Sequence, residues 1–196
     1  MLPVVVYVAS QMVGPGVVRH EGRGDLELSG QGAEEIAAIF NAAGVETKVS
    51  EDGMISLWAK LVVNCAINPL SAITRLPCGK MTALEGVAQL MKDIAREAPA
   101  VAQAEHISVP DTVFETIRSM PVTMAGQYSS TAHNLMRGKP TEIDFLNGEI
   151  VKGPPANSDP VASPENLHVS PRKGQILICL ISFENWSGRG ESNARP

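Results

Sequence analysis

The sequence predicts an α/β segment followed by an all-helical one. Two short β-branched stretches, residues 4–8 and 45–49, flank a stretch of helical period at 33–43, and long apolar helical periods begin after residue 51. Residues 4–8 read as a buried strand. Residues 17–19 and 25–28 flank Glu21-Gly22-Arg23-Gly24 and read as a hairpin around a glycine turn. Ile36, Ala37, Ile39 and Phe40 give residues 33–43 a helical face, and Gly44 is the natural C-cap. Residues 45–49 supply one more strand, so strand, hairpin, helix and strand together make the closing half of a nucleotide-binding sheet.

After Glu51-Asp52-Gly53 the pattern turns helical. Residues 54–74 form a mostly apolar helix, expected to break at Asn68-Pro69. Residues 82–106 form another, with Thr82 and Glu85 as a capping box and Leu84, Val87, Leu90, Met91 and Ile94 as the buried face. Pro99 is expected to end or kink it. Pro110-Asp111 opens a short helix ending near Met120, and residues 122–136 and 141–151 complete the helical part. From Gly153 onward there are 4 Gly and 6 Pro in 44 residues without sustained period, so a disordered tail is expected, with one strand-like island at 175–183. The expected division is therefore 1–50, 51–152 and 153–196.

Composition narrows the function classes. The chain has 196 residues, enough for a real core, and a net charge of -5 that gives no electrostatic footprint for nucleic acid. With 4% aromatic residues, base-stacking platforms are not expected either. Cys65, Cys78 and Cys179 have no C-x-x-C spacing, which points to a reducing cytoplasm and to buried thiols. His20, His106, His133 and His168 show no metal-binding spacing, so no metal is expected. The N-terminus is a poor signal peptide, and the late apolar run at 176–181 is far too short for a membrane span, so no membrane association is expected.

Two constellations could carry chemistry. Lys60, Asn64 and Asn68 recur in steps of four, which puts them within about 80° of one another on a helix otherwise made of Leu, Val, Ala and Ile. Such a stripe faces something polar, because burying these groups unpaired is costly; a narrow solvent-facing stripe accounts for the periodicity equally well. The second is Ser129-Ser130 followed by Arg137-Gly138-Lys139-Pro140-Thr141-Glu142-Ile143-Asp144. Thr141 as an N-cap, with Glu142 and Asp144 in the first turn, explains the acids structurally without a functional role.

The pattern Trp58-x-Lys60-x-x-x-Asn64-x-x-x-Asn68-Pro69-Leu70-x-Ala72, followed by Ser129-Ser130 and Thr141-Glu142-Ile143-Asp144, resembles ketopantoate reductase (2-dehydropantoate 2-reductase). The segment from Gly14 to Gly24 is similar to that family's mid-chain hairpin, and the resemblance runs over residues 4–152. It implies a partial Rossmann-type lobe followed by a 6-phosphogluconate-dehydrogenase-like C-terminal helical domain. It implies NADPH-dependent reduction of a 2-oxo acid, ketopantoate, to pantoate on the route to pantothenate. Lys60 matches the family's catalytic lysine, the general acid that protonates the developing alkoxide, and Glu142 its active-site glutamate. Asn64, Asn68 and Ser130 match substrate-binding positions. Helical lobes of this kind pair in the family, so a homodimer is compatible with the resemblance.

The chain also departs from the family pattern. Gly14-x-Gly16, Gly22-x-Gly24 and Gly30-x-Gly32 each lack the third glycine of G-x-G-x-x-G, so no cofactor-contacting residue is assigned. Asn134 stands where the family usually has Asp, which alters substrate fit. The ending after Lys152 does not match the family's final helix and reads as read-through into unrelated sequence. The expectation is an N-terminally incomplete reductase. The competing expectations are an inactive, self-associating helical fragment and a related 2-oxo-acid or imine reductase.

Overall fold

The computed structural model describes residues 2–153; the expected tail and its island at 175–183 lie outside them. The chain divides after Lys60 into two compact units.

In the first unit, β1 (Val4–Gly14) pairs antiparallel with β2 (Val17–Ser29), and β3 (Thr47–Ser50) joins β2 in parallel, giving the order β1-β2-β3. The chain reverses at Pro15-Gly16, where Gly16 takes φ 71° and Gly14 faces Val17. The turn expected at 21–24 lies instead inside β2. There Tyr7 pairs with Asp25 but Ala9 with Gly22, so β2 carries an extra residue, a bulge that Gly22 (φ 152°) and Arg23 (φ 45°) accommodate. Nor are residues 4–8 buried throughout. Val5 is buried while Val4, Val6 and Val8 are exposed, the alternation of a strand covered on one face.

The parallel pairing of β2 and β3 needs a crossover, which α1 (Ala33–Ala42) provides. Ala33 and Ala37 are its buried residues, whereas Ile39 and Phe40 are exposed. Its end is a Schellman motif: the Val45 N–H donates to the Phe40 carbonyl (2.9 Å), the Gly44 N–H to that of Asn41 (3.0 Å), and Gly44 has φ 82°. The Asn41 side chain then donates to the Thr47 carbonyl (2.8 Å) and accepts the Thr47 N–H (2.9 Å), which fixes where β3 begins.

Helix α2 (Gly53–Thr74) starts in the first unit and continues into the second. It runs unbroken through Pro69, against expectation. A proline in a helix removes the N–H that would bond the carbonyl four residues earlier, here Cys65. That carbonyl instead accepts the side-chain amide of buried Asn147 (3.1 Å). Among the described residues α2 is the one helix long and apolar enough to cross a membrane. Its run from Cys65 to Ala72 is buried, as in a core helix.

The second unit continues with α3 (Cys78–Thr82), α4 (Val87–Ala104), α5 (Thr112–Thr123), α6 (Ser130–Met136), a 3-10 turn (Ile143–Phe145) and α7 (Asn147–Lys152). The capping box does not form. The Thr82 hydroxyl closes α3 by donating to the Cys78 carbonyl (3.0 Å), and the left-handed Gly86 (φ 79°) separates it from α4. Met91, Ala95, Ala98 and Ala102 form the buried stripe of α4, while Leu84 lies outside the helix and is exposed. Pro99 does not end α4, which stops at a Schellman motif with His106 at φ 60°. Residues 122–136 are not one helix: α5 reaches Thr123 through Pro121, and α6 begins at Ser130. Thr141 caps nothing; its hydroxyl is buried without a partner, and Glu142 precedes the 3-10 turn.

Candidate active site

Lys60 projects from the first half of α2 and is half-buried. Its ammonium donates to the Val6 carbonyl on β1 and faces the Tyr7 ring, 5.5 Å from the centroid. Burial, then the charge of Arg23, lower the lysine's pKa below the usual ammonium range. Arg23 stacks on the same ring at 3.9 Å and is gripped by Asp25 through two bonds, Nε to Oδ1 (2.9 Å) and Nη2 to Oδ2 (2.6 Å). This grip pushes the Arg23 pKa up and the Asp25 pKa down. Nearby on the same unit, the Ser56 hydroxyl donates to Glu27. Burial, followed by the Glu27 charge, raises the pKa of Tyr7.

Asn64 is half-buried and Asn68 buried, one and two turns beyond Lys60 on the same unbroken helix. In the second unit, α6 links two of the expected groups. Its N-cap is Ser129, whose hydroxyl accepts the Ala132 N–H (3.0 Å) and donates to the Asn68 carbonyl (3.3 Å). The Ser129 N–H donates to the Ser71 hydroxyl (3.2 Å). Ser130 therefore starts α6 beside the backbone of Asn68, and its side chain is exposed. One turn on, the Asn134 amide donates to the exposed Glu142 carboxylate (3.4 Å), a bond that an ionised aspartate could not make. Sequence reasoning finds the helix stripe and the serine pair but misses Tyr7, Arg23, Asp25, Asn147 and the capping role of Ser129. For Ser129 a signal exists, since a serine just before an apolar-periodic helix is a cap.

The remaining features have structural explanations. Cys65 and Cys78 are buried thiols outside any disulfide, and burial raises the Cys78 pKa, which keeps it protonated. No group of three or more His, Cys, Asp or Glu could hold a metal among the described residues. None of the three glycine pairs cradles a phosphate: Gly14 and Gly16 bracket the hairpin turn, Gly22 and Gly24 lie in β2, and Gly30 and Gly32 precede α1. That helix carries Glu34 and Glu35 in its first turn, where they repel an anion. These three glycine pairs thus do not supply a cradle for the pyrophosphate of a dinucleotide.

Comparisons with known proteins bear on this geometry. The family model for the ketopantoate reductase PanE/ApbA C-terminal region matches residues 52–157. A 2-dehydropantoate 2-reductase from Pyrococcus horikoshii is 33% identical over 145 residues, covering 70% of this chain and 48% of that protein. The chain thus spans about half the length of the curated relatives it matches. A solved PanE/ApbA-family ketopantoate reductase from Ralstonia eutropha JMP134 is 46% identical with a TM-score of 0.77, covering 94% of this chain and 60% of that one. A D-mandelate dehydrogenase solved with NADH and anilino(oxo)acetate is 25% identical with a TM-score of 0.69, covering 75% of this chain and 51% of that one. The matched segment contains the polar stripe, α6 and Glu142, and on this ground the chain belongs to the PanE/ApbA family of ketopantoate reductases.

Proposed function

We propose that this chain carries the proton-donating part of a reductase site that converts ketopantoate to pantoate with NADPH. The observation that carries the reading is the stripe of Lys60, Asn64 and Asn68 on one helix, headed by a half-buried lysine of lowered pKa. Ketone reduction adds a hydride to the carbonyl carbon and a proton to its oxygen. NADPH, when bound, supplies the hydride. Lys60 bonds the ketone oxygen, stabilises the negative charge that grows there and gives up the proton, then regains one from water. A lowered pKa suits this role because the ammonium releases its proton more readily near neutral pH. Asn64, Asn68 and Ser130 bind the substrate's hydroxyl and carboxylate, and Glu142 orders the substrate. No step is assigned to cofactor contacts, because the three glycine pairs supply no phosphate cradle.

Titration of the chain with NADPH, followed by fluorescence or calorimetry, tests the reading, with ketopantoate turnover as the second measurement. Turnover is expected where NADPH binds, and Lys60→Ala should then reduce kcat by about 10²–10⁴-fold, the usual contribution of a general acid. Absence of NADPH binding at hundreds of micromolar would reduce the chain to a folded helical domain without activity. Unchanged turnover in Lys60→Ala would remove the general acid. A second reading, a reductase of a related 2-oxo acid, is favoured by Asn134, whose bond to Glu142 replaces the family's usual aspartate. Faster reduction of another 2-oxo acid, reversed toward ketopantoate by Asn134→Asp, supports that second reading.

A further inference from the structure

Lys60 shares its aromatic partner with a second cation. Both charges lie within 6 Å of the Tyr7 centroid, the reach of a cation–π contact, with the guanidinium at 3.9 Å and the ammonium at 5.5 Å. Two like charges on one ring raise each other's cost, so something must hold the nearer one there. Asp25 does so with two hydrogen bonds, and the bulge between Gly22 and Gly24 supplies the left-handed backbone (φ 45°) from which Arg23 folds over the ring. A non-glycine residue in that region is uncommon and is kept where its surroundings over-determine it.

We propose that Arg23 is a positioning residue for Lys60: clamped by Asp25 over the Tyr7 ring, its guanidinium sets how readily the lysine releases its proton. The inference rests on the reading of Lys60 as a proton donor and names the device that tunes it. The ammonium faces Tyr7 on β1 and feels the charge of Arg23 on β2, while Asp25 and Glu27 on β2 act on the Tyr7 hydroxyl. Asp25 is engaged by Arg23, and Glu27 accepts from Ser56 on α2 itself. Among the described residues the lysine's hydrogen bond goes to the Val6 carbonyl, not to a carboxylate. Arg23 therefore acts on a lysine that is not itself held by a carboxylate, and Asp25 offsets part of the guanidinium's charge.

The test needs neither substrate nor cofactor. Protein labelled at lysine Cε with ¹³C is titrated by NMR, and the signal lost in Lys60→Arg identifies Lys60. Its midpoint is expected below those of the other lysines. Arg23→Asn, which tolerates the left-handed backbone, should move it upward. Arg23→Lys keeps the charge and should leave it near the wild-type position. Asp25→Asn frees the guanidinium charge and should move it downward. Opposite shifts from two neighbouring substitutions are a signature that general loosening of the hairpin does not produce. An unchanged midpoint in Arg23→Asn, equal shifts in Arg23→Asn and Arg23→Lys, or an upward shift in Asp25→Asn would overturn the proposal. Should Arg23→Asn fail to fold, Asp25→Asn decides alone: a downward shift supports the proposal, and any other result overturns it. A shifted midpoint in a chain without turnover would count against the proposed function and leave this inference standing.

Discussion

The two units solve opposite packing problems. The first has a thin core, with Val5, Leu28, Ala33 and Ala37 buried, while Val4, Val6, Val8, Val17, Val18 and Val49 stay exposed. The second builds a deeper core, with Ala95, Ala98 and Ala102 in one stripe of α4, Val62, Cys65, Ala66 and Leu70 along α2, and Met81, Ile117 and Ile143 from other elements. The difference decides where polar groups can go. In the first unit a strand pair carries long polar side chains, and the lysine is tuned by neighbours that remain partly solvated. In the second, polar groups answer to backbone: buried Asn147 to the Cys65 carbonyl and half-buried Ser129 to that of Asn68. A thin core concentrates stability in a few close contacts, whereas a deep core makes its buried polar bonds expensive to lose.

The sharpest test of that contrast is Gly53. A Cβ at this buried first residue of α2 would lie 1.9 Å from the Ser29 hydroxyl and 2.6 Å from its Cβ. Gly53→Val therefore forces the helix start away from β2, at a cost of about 2–3 kcal/mol, the upper part of the range for overpacking. Amide exchange by mass spectrometry should show β2 and α1 losing protection while α4 and α5 keep theirs. Unchanged protection in β2 would break the claim that the first unit hangs on its few tight contacts. Next in size is Asn147→Leu, which keeps the branched shape but removes the donor to the Cys65 carbonyl. Losing that bond costs about 1–3 kcal/mol, and the loss should be read in residues 70–74, beyond the proline. If their protection is unchanged, the helix passes Pro69 without needing Asn147.

These two sites also show what can be read from the chain alone. The crossover helix with its Gly44 cap and the stripe at 60, 64 and 68 are local patterns, and local patterns survive into the fold. The break expected at Pro69 is a sound local inference overruled by an amide 82 residues from the carbonyl it serves. No window along the sequence contains both partners. The misplaced hairpin turn has another cause: two glycine-bearing segments compete, and Pro15-Gly16 suits a two-residue turn, whereas Gly22 and Gly24 suit a bulge. That choice hides the lysine's surroundings as well. Tyr7 comes beside Arg23 through the register that pairs it with Asp25, so a wrong turn puts the ring and the guanidinium apart. The capping box at Thr82 and Glu85 fails because Gly86 resets the backbone before α4 begins.

The smallest expected effect probes charge in the deeper core. Glu97 is half-buried on α4, one turn after Asp93, and burial followed by the Asp93 charge raises its pKa above the usual carboxylate range. A raised folded-state pKa means that the fold holds this proton more tightly than the unfolded chain does. The stabilising contribution of the protonated form is therefore full below the unfolded value of about 4.3 and is lost as pH rises through the folded value. At neutral pH Glu97 is a charged liability, softened in part because Arg96 pairs with Asp93 at 3.6 Å. Glu97→Gln should then gain a few tenths of a kcal/mol at pH 7, on the order of one like-charged i,i+4 pair. The gain should vanish in denaturant titrations near pH 3.5, where the glutamate is already neutral in both states. An equal gain at both pH values would mean that the amide improves packing instead, and the second unit's core would then tolerate polar burial better than its alanine stripe implies.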